Sequence, residues 1–259
     1  MLPLLTIFLV FFILGSIVGS FLNVCIYRIP EGLSVVRPAS RCPHCNTPIR
    51  WYHNLPILSW ALLRGKCAYC KAVVSIRYPL VEALTGFFFV LAVFYFGFSA
   101  ALPVYLVFLS LLVVVTFIDI DHQIIPNVIT LPSLVFGFVS SFLIPWLSWV
   151  DSILGIIAGG GLLFGVAYLY RLATGKDGMG MGDVKLLAMI GAFLGWQSIF
   201  PIVFVASLIG SLIGIPLMCL KKADGKLAIP FGPFLSAASV IYLFWWYDIF
   251  SWYQSLFFP

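Results

Sequence analysis

Two short acidic motifs carry the residues of this sequence that are best suited to catalysis. In TFIDIDHQIIPN, residues 116–127, Asp119 and Asp121 close an apolar run. In TGKDGMGMGDVKLL, residues 174–187, three alternating glycines lead into Asp183. Acids at the edge of a lipid-compatible segment are costly and usually functional. Two carboxyls in one desolvated site can share a proton, which supplies an acid and a base for hydrolysis of a peptide bond.

Asp119 and Asp121 are not equivalent. Side chains two positions apart on a helix point about 200° away from each other, so only one of them can face a given partner. Asp121 also suits a helix that simply ends in water before Pro126, whereas Asp119 lies deeper, between two isoleucines. This geometry favours Asp119 and leaves Asp121 as a second candidate.

The glycine run before Asp183 needs an explanation of its own. Asp183 could be the N-cap of the helix that follows, but a cap does not account for three alternating glycines. Such a run indicates unusual dihedral angles or the close approach of another backbone. A phosphate-binding loop is disfavoured, because neither the G-x-G-x-x-G nor the Walker A pattern is present and a terminal acid would repel phosphate.

Four cysteines form a second chemical feature, in the motifs RCPHC and KCAYC at residues 41–45 and 66–70. Two C-x-x-C pairs can supply the four thiolates of a tetrahedral zinc site. The ligands would be Cys42, Cys45, Cys67 and Cys70. Four thiolates leave no open coordination position, so the metal would shape the loop instead of activating water. Disulfides, idle thiols and a redox C-x-x-C are the alternatives.

The composition requires a membrane to hold these residues. Of the 259 residues, 63% are hydrophobic and 9% are charged, compared with about 25% charged in soluble domains. We predict an all-α polytopic membrane protein with about eight transmembrane helices and a small cytoplasmic zinc-knuckle loop. The predicted spans are about 4–24, 79–98, 101–120, 128–147, 151–171, 184–197, 199–220 and 229–250, of which the sixth is short.

Charge orients the predicted spans. Eight of the fourteen Lys and Arg lie between Arg28 and Arg77, and the rest are Arg171, Lys176, Lys185, Lys221, Lys222 and Lys226. If the N-terminus starts outside, eight spans place all fourteen on the cytoplasmic side. We therefore expect a multi-pass inner-membrane protein with both termini on the outer side. The net charge of +5 needs no nucleic-acid partner.

This topology predicts three regions, and it places Asp119 and Asp183 at the same side of the membrane. The regions are a first transmembrane helix at 1–25, a cytoplasmic zinc-binding loop domain at 26–78 and a seven-helix membrane peptidase domain at 79–259. From Asp119 the chain crosses outward and back, so Asp183 returns to the same cytoplasmic boundary. We expect a catalytic dyad there.

The motifs together resemble those of a known family. GMGMGDVK carries the Gly-x-Gly-Asp signature of membrane-embedded aspartic proteases. More narrowly, the chain resembles bacterial type IV prepilin peptidases in GSFLNVCIYRIP (19–30), the paired C-x-x-C loop, RYPLVEALTG (77–86), FIDIDHQIIPN (117–127) and IPFGPFL (229–235). These matches extend over nearly the whole chain.

The resemblance implies a function and a set of catalytic residues. Such enzymes cut the basic leader from prepilins and pseudopilins after a glycine on the cytoplasmic side. Many also methylate the new N-terminal residue with S-adenosylmethionine, and the four-cysteine loop implies that this chain is bifunctional. Asp119 and Asp183 match the two catalytic acids. The residues that bind S-adenosylmethionine are not assigned, since no Rossmann-type fingerprint is present.

Two functions of other classes compete with this one. A proton-coupled transporter could use the two aspartates as a proton relay, but it predicts acids at several membrane depths and an internal repeat. A membrane scaffold in which only the metal matters would leave the glycine run unexplained.

Overall fold

The computed structural model describes residues 2–176, 178–220 and 229–257, without the side chains of residues 2, 218–220, 250 and 252–257. Nine α-helices occur within these residues: α1 Leu2–Arg28, α2 Leu58–Leu62, α3 Arg77–Phe96, α4 Ala101–His122, α5 Asn127–Ser140, α6 Trp149–Thr174, α7 Met181–Leu194, α8 Ile199–Leu220 and α9 Gly232–Phe257. Short 3-10 turns lie at Trp51–His53 and Trp196–Ser198. In these ranges there is no β-strand, only two isolated bridges in the first polar loop.

The all-α membrane fold predicted from the sequence is confirmed, and each predicted span contains a helix. Within the described residues, five segments are long and apolar enough to cross a membrane: Pro3–Arg28, Arg77–Phe96, Ala101–His122, Trp149–Thr174 and Trp196–Leu217. By contrast, α5 and α7 have 14 residues each. That is about 21 Å of helix, which is short of the ~30 Å hydrocarbon core. The orientation of the spans stays a prediction, and Lys221, Lys222 and Lys226 lie outside the described residues.

The chain divides into two compact units, residues 1–114 and 115–259. In the first unit, α1 packs along α3 with almost no space between the backbones. A Cβ at Gly15 would lie 2.8 Å from the Cα of Gly86, and one at Gly19 would lie 2.7 Å from the Cα of Glu82. Small residues at such a crossing let helices approach closely in lipid. The polar loop that carries the cysteines connects these two helices.

In the second unit, α7 is held by a close crossing with α6. The backbones of Gly155 and Gly191 fill the positions that each other's Cβ would need. The hydroxyl of Ser152 donates a buried hydrogen bond of 2.8 Å to the carbonyl of Ala192. Almost every residue of α7 after Lys185 is buried. These contacts fix the start of α7, where Asp183 lies.

Candidate active site and metal centre

Asp119 lies in the last turn of α4 and only 5% of its surface is exposed. Its Oδ2 accepts a 3.0 Å hydrogen bond from the backbone N–H of Gly232, the first residue of α9. The carboxylate of Asp119 thus lies at the positive end of the α9 dipole, where it is stabilised. The first turn of α9 contains no acid of its own. Asp121 is exposed. The geometry therefore separates the two acids of this motif.

Gly232 is a member of the site that the sequence did not reveal. A Cβ at this position would lie 2.6 Å from Oδ2 of Asp119 and 3.3 Å from Cδ1 of Ile125. Only glycine lets the start of α9 come so close to the carboxyl. The run IPFGPFL was the available signal, because a Gly-Pro pair is typical of a helix start. It said nothing about the partner.

Asp183 lies half-buried in the first turn of α7. The prediction that it is the N-cap is wrong: Gly180 is the N-cap, and the N–H of Asp183 donates to the Gly180 carbonyl at 3.2 Å. A carboxylate one turn into the helix still benefits from the positive N-terminus. Lys185 ties this end of α7 to α5 through a 2.8 Å hydrogen bond to Oδ1 of Asn127.

Gly178 and Gly182 allow close approach, and neither Gly180 nor Gly182 has a left-handed dihedral angle. The ring of Tyr170 occupies the place of a Cβ at Gly178, and a Cβ at Gly182 would lie 3.0 Å from Cβ of Ile125. The sequence predicted either unusual dihedral angles or the close approach of another backbone. The close neighbours of Gly178 and Gly182 are instead side chains. A Cβ at Gly180 would make only ordinary contacts, 3.9 Å from N of Gly182 and 4.0 Å from Oδ2 of Asp183, and this residue serves as the cap.

The fold brings the segments that carry Asp119 and Asp183 to one residue, Ile125, although 64 positions separate the two acids in the sequence. Ile125, in the link between α4 and α5, contacts the backbones at Gly182 and Gly232. The site is therefore built from the end of α4, this link, and the starts of α7 and α9. An acid pair of this kind, half enclosed and flanked by two helix N-termini, can hold a proton and release it.

The four cysteines of the polar loop form a cluster in the first unit. The Sγ atoms of Cys42, Cys45, Cys67 and Cys70 all lie within 4.8 Å of one another. The Sγ atoms of Cys42 and Cys70 are 3.8 Å apart, too far for a disulfide of about 2.05 Å. Tetrahedral zinc with bonds of about 2.3 Å would place its sulfurs roughly 3.8 Å apart. The cluster can hold a metal ion.

The two halves of the cluster share one backbone pattern. In the first, the N–H of Cys42 donates to the carbonyl of Thr47 and Asn46 has a positive φ. In the second, the N–H of Cys67 donates to the carbonyl of Ala72 and Lys71 has a positive φ. A bridge closes each half, Arg41 with Pro48 and Lys66 with Val73. Each C-x-x-C turn thus directs two sulfurs to a common point.

Electrostatics in the cluster favour a bound cation. Hydrogen bonding by the Thr47 side chain lowers the pKa of the Cys45 thiol to about 6. The backbone at Ala72 also lowers the pKa of Cys70, but desolvation and the three neighbouring sulfurs outweigh it and raise that pKa to about 11. Three sulfurs therefore oppose a fourth negative charge. A divalent metal would neutralise this repulsion, because thiolates are its ligands.

Comparison with known proteins identifies the family to which this chain is similar. Residues 13–96 match the bacterial peptidase A24 N-terminal domain, and residues 106–215 match the type IV leader peptidase family. A protein of Aeromonas hydrophila named prepilin leader peptidase/N-methyltransferase is 39% identical over 95% of this chain and 93% of its own length. Proteins of the same name from Stutzerimonas stutzeri and Pseudomonas aeruginosa are each 38% identical, over 90% of this chain and 89% and 88% of their own. No solved structure matches the chain significantly. The chain belongs to the type IV leader peptidase family.

Proposed function

We propose that this protein removes the basic leader peptide of type IV prepilins or pseudopilins after a glycine and then methylates the new N-terminal residue with S-adenosylmethionine. The observation that carries the peptidase half is that Ile125 lies against both Gly182, beside Asp183, and Gly232, whose N–H binds Asp119. The methyltransferase half is supported by the name of the relatives, prepilin leader peptidase/N-methyltransferase, and by the four-cysteine cluster.

In the proposed cleavage, Asp119 and Asp183 hold one proton between them. The ionised carboxylate accepts a proton from water as the water oxygen attacks the scissile carbonyl carbon, and the protonated carboxyl donates to the carbonyl oxygen. When the tetrahedral intermediate collapses, the C–N bond breaks and the leaving nitrogen takes a proton back from the dyad. The Gly232 N–H keeps the Asp119 carboxyl oriented throughout.

In the proposed methylation, S-adenosylmethionine supplies an electrophilic methyl group on a sulfonium sulfur. The free amine of the cleaved pilin attacks that carbon, the C–S electron pair stays on sulfur, and the amine proton leaves to solvent. Zinc is the metal that we propose for Cys42, Cys45, Cys67 and Cys70, because a closed four-thiolate site suits structural zinc. Its task is to fold the loop.

We place the protein in the bacterial inner membrane, with both termini on the outer side and the acids at the cytoplasmic face. The support is the distribution of Lys and Arg, eight of which lie between Arg28 and Arg77. Substrates would enter from the bilayer, with their apolar helices among the spans. Membrane lipid and pilin precursors are therefore the expected partners.

Mass spectrometry of a purified prepilin incubated with this protein and S-adenosylmethionine tests both activities at once. The expected products are a pilin shortened by its leader and the same pilin carrying one additional methyl group. An intact prepilin after prolonged incubation with folded, metal-loaded protein would refute the peptidase, and a shortened but never methylated pilin would refute the second activity.

A further inference from the structure

The first unit contains a cavity of about 630 Å³ between the cysteine loop and the adjoining ends of α1 and α3. Sites for small molecules usually measure roughly 300–1,000 Å³. The wall includes Asn23 and Tyr27 from α1, Glu82 from α3, and Trp60, Cys42 and Cys67 from the loop. Its size and its mixture of aromatic and polar groups fit a ligand larger than a metal ion or a water cluster.

The charges of this wall point to a particular kind of ligand. Four cationic side chains line the cavity, Arg28, Arg37, Arg41 and Lys66, together with the one carboxylate of Glu82. A peptide with several basic side chains would find only one acid in this wall. A molecule that carries a carboxylate at one end and positive charge elsewhere would be complemented at both places. The guanidinium of Arg28 already donates to the Ser34 and Pro38 carbonyls, which leaves the other three cations for the ligand.

Glu82 is the only acid among these lining residues, and it is buried, with 7% of its surface exposed. Its Oε2 accepts a 2.7 Å hydrogen bond from the N–H of Ile57, a residue with positive φ at the start of α2. Part of its role is therefore to anchor the loop. Its negative charge has no cationic partner in these contacts, and burial makes an opposite charge in the cavity favourable.

His53 offers a ligand a polar contact that does not depend on charge. Its Nδ1 is buried in the cavity wall and has no hydrogen-bond partner. The rings of Tyr52 and Tyr69 lie 4.5 and 5.8 Å from the imidazole and hold it in place. Buried polar atoms of this kind are rarely left unsatisfied in a functional state. A ligand hydroxyl, amine or ring nitrogen would satisfy this atom.

We propose that this cavity is the binding site of the methyl donor, S-adenosylmethionine. Its carboxylate meets Arg37, Arg41 and Lys66, its ammonium and sulfonium charges face Glu82, and its adenine packs on aromatic rings such as Trp60. The indole of Trp60 is fixed by a 3.0 Å hydrogen bond to the Val74 carbonyl. This inference rests on the proposed methyltransferase function and adds to it the location of the donor.

The position of this cavity also explains how the metal cluster would affect methylation. Cys42 and Cys67 belong to the cavity wall as well as to the cluster. If the metal leaves, the two C-x-x-C turns lose their common centre, and the wall that they form loses its shape.

Ultraviolet crosslinking of methyl-tritiated S-adenosylmethionine to the full-length, metal-loaded protein tests the location directly. Peptide mapping is expected to find the label within residues 20–82, and excess unlabelled S-adenosylhomocysteine should compete for it. Label confined to residues 115–259 would overturn the assignment. A leader peptide that displaces the label from residues 20–82 would instead identify the cavity as a peptide site.

Equilibrium binding to purified variants tests the chemistry. Glu82→Gln keeps an acceptor for the Ile57 N–H but removes the charge. We expect it to weaken S-adenosylmethionine about tenfold and the neutral-sulfur product S-adenosylhomocysteine much less. Glu31→Gln, an exposed change in the same loop outside the cavity, is the matched control and should change neither affinity. Equal weakening of both ligands by Glu82→Gln would contradict contact with the sulfonium.

A second pair of variants does not depend on Glu82. Arg37→Gln is expected to weaken both ligands several-fold, whereas Arg64→Gln, at an exposed arginine outside the cavity, should leave them unchanged. Wild-type protein that methylates pilin but is labelled only in residues 115–259 would refute this site alone. Wild-type protein that cleaves but never methylates would refute the methyltransferase function itself.

Discussion

At the scale of single residues, burial distinguishes Asp119 from Asp121. The sequence could rank them, because helical geometry allows only one to face a partner and Asp119 is flanked by isoleucines. It could not reveal the Gly232 N–H, since a contact 113 positions away leaves no periodic or local pattern. Nor could it show that Ile125 fills the space left by two glycines.

Neutralising the acids is the most direct test at this scale. We expect Asp119→Asn and Asp183→Asn each to lower the rate of prepilin cleavage by roughly 100-fold or more, because general acid–base catalysis commonly contributes that much. Asp121→Asn is the control and should retain most of the activity. Peptidase assays on purified variants with equal metal content measure this, and near-normal cleavage by Asp183→Asn would remove that residue from the dyad.

Adding one methyl group at Gly232 should disturb the site without replacing either acid. In Gly232→Ala, the new Cβ would lie 2.6 Å from the Asp119 carboxyl, so the hydrogen bond to Oδ2 must lengthen or break. We expect cleavage to fall at least tenfold. Gly161→Ala in α6, where a Cβ meets nothing within 4 Å, should keep its rate. Unchanged cleavage by Gly232→Ala would show that the contact is dispensable.

At the scale of helices, the sequence predicted which segments are helical and could not predict how α7 is held. Apolar runs and Pro or Gly breaks located the helices, and the shortness of the sixth span was visible in VKLLAMIGAFLGW. The sequence did not identify Gly180 as the N-cap. An acid is common both at the N-cap and in the first turn of a helix, so the sequence alone does not tell these two positions apart. The crossing of Gly155 with Gly191 is tertiary and therefore invisible to local patterns.

The α6–α7 crossing should control both stability and activity. Gly155→Ala places a Cβ against the Gly191 carbonyl, and such overpacking commonly costs ~1–3 kcal/mol. We expect a lower midpoint of thermal unfolding together with slower cleavage, since α7 carries Asp183. Gly165→Ala, on the same helix with open space around its Cβ, is the comparison. A stable but inactive Gly155→Ala protein would mean that the crossing positions α7 without stabilising the unit.

At the scale of the whole molecule, each compact unit has its own chemistry. The metal cluster and the cavity lie within residues 1–114, and Asp119, Asp183 and Gly232 lie within residues 115–259. The sequence predicted a polar loop with a metal site and a membrane part with two acids. The cavity could not be predicted, because its wall comes from two helices and a loop that meet only in the fold.

This division predicts that metal loss separates the two activities. We expect Cys42→Ser or Cys70→Ser to abolish most methylation while cleavage persists, since Cys42 and Cys67 belong to the cavity wall, whereas Asp119 and Asp183 belong to the second compact unit. Cys25→Ala, a change at a cysteine of α1 outside the cluster, should preserve both activities and the metal content. Methylation and cleavage measured on the same samples decide the matter, and equal loss of both would show that the metal supports the entire protein.

The hydrogen bond from Gly232 to Asp119 also sets an order of events during biosynthesis. The ribosome completes Asp119 more than a hundred residues before its donor, which belongs to the final helix of the described chain. A nascent protein that inserts into the bilayer therefore lacks this hydrogen bond to Asp119 until α9 has been synthesised.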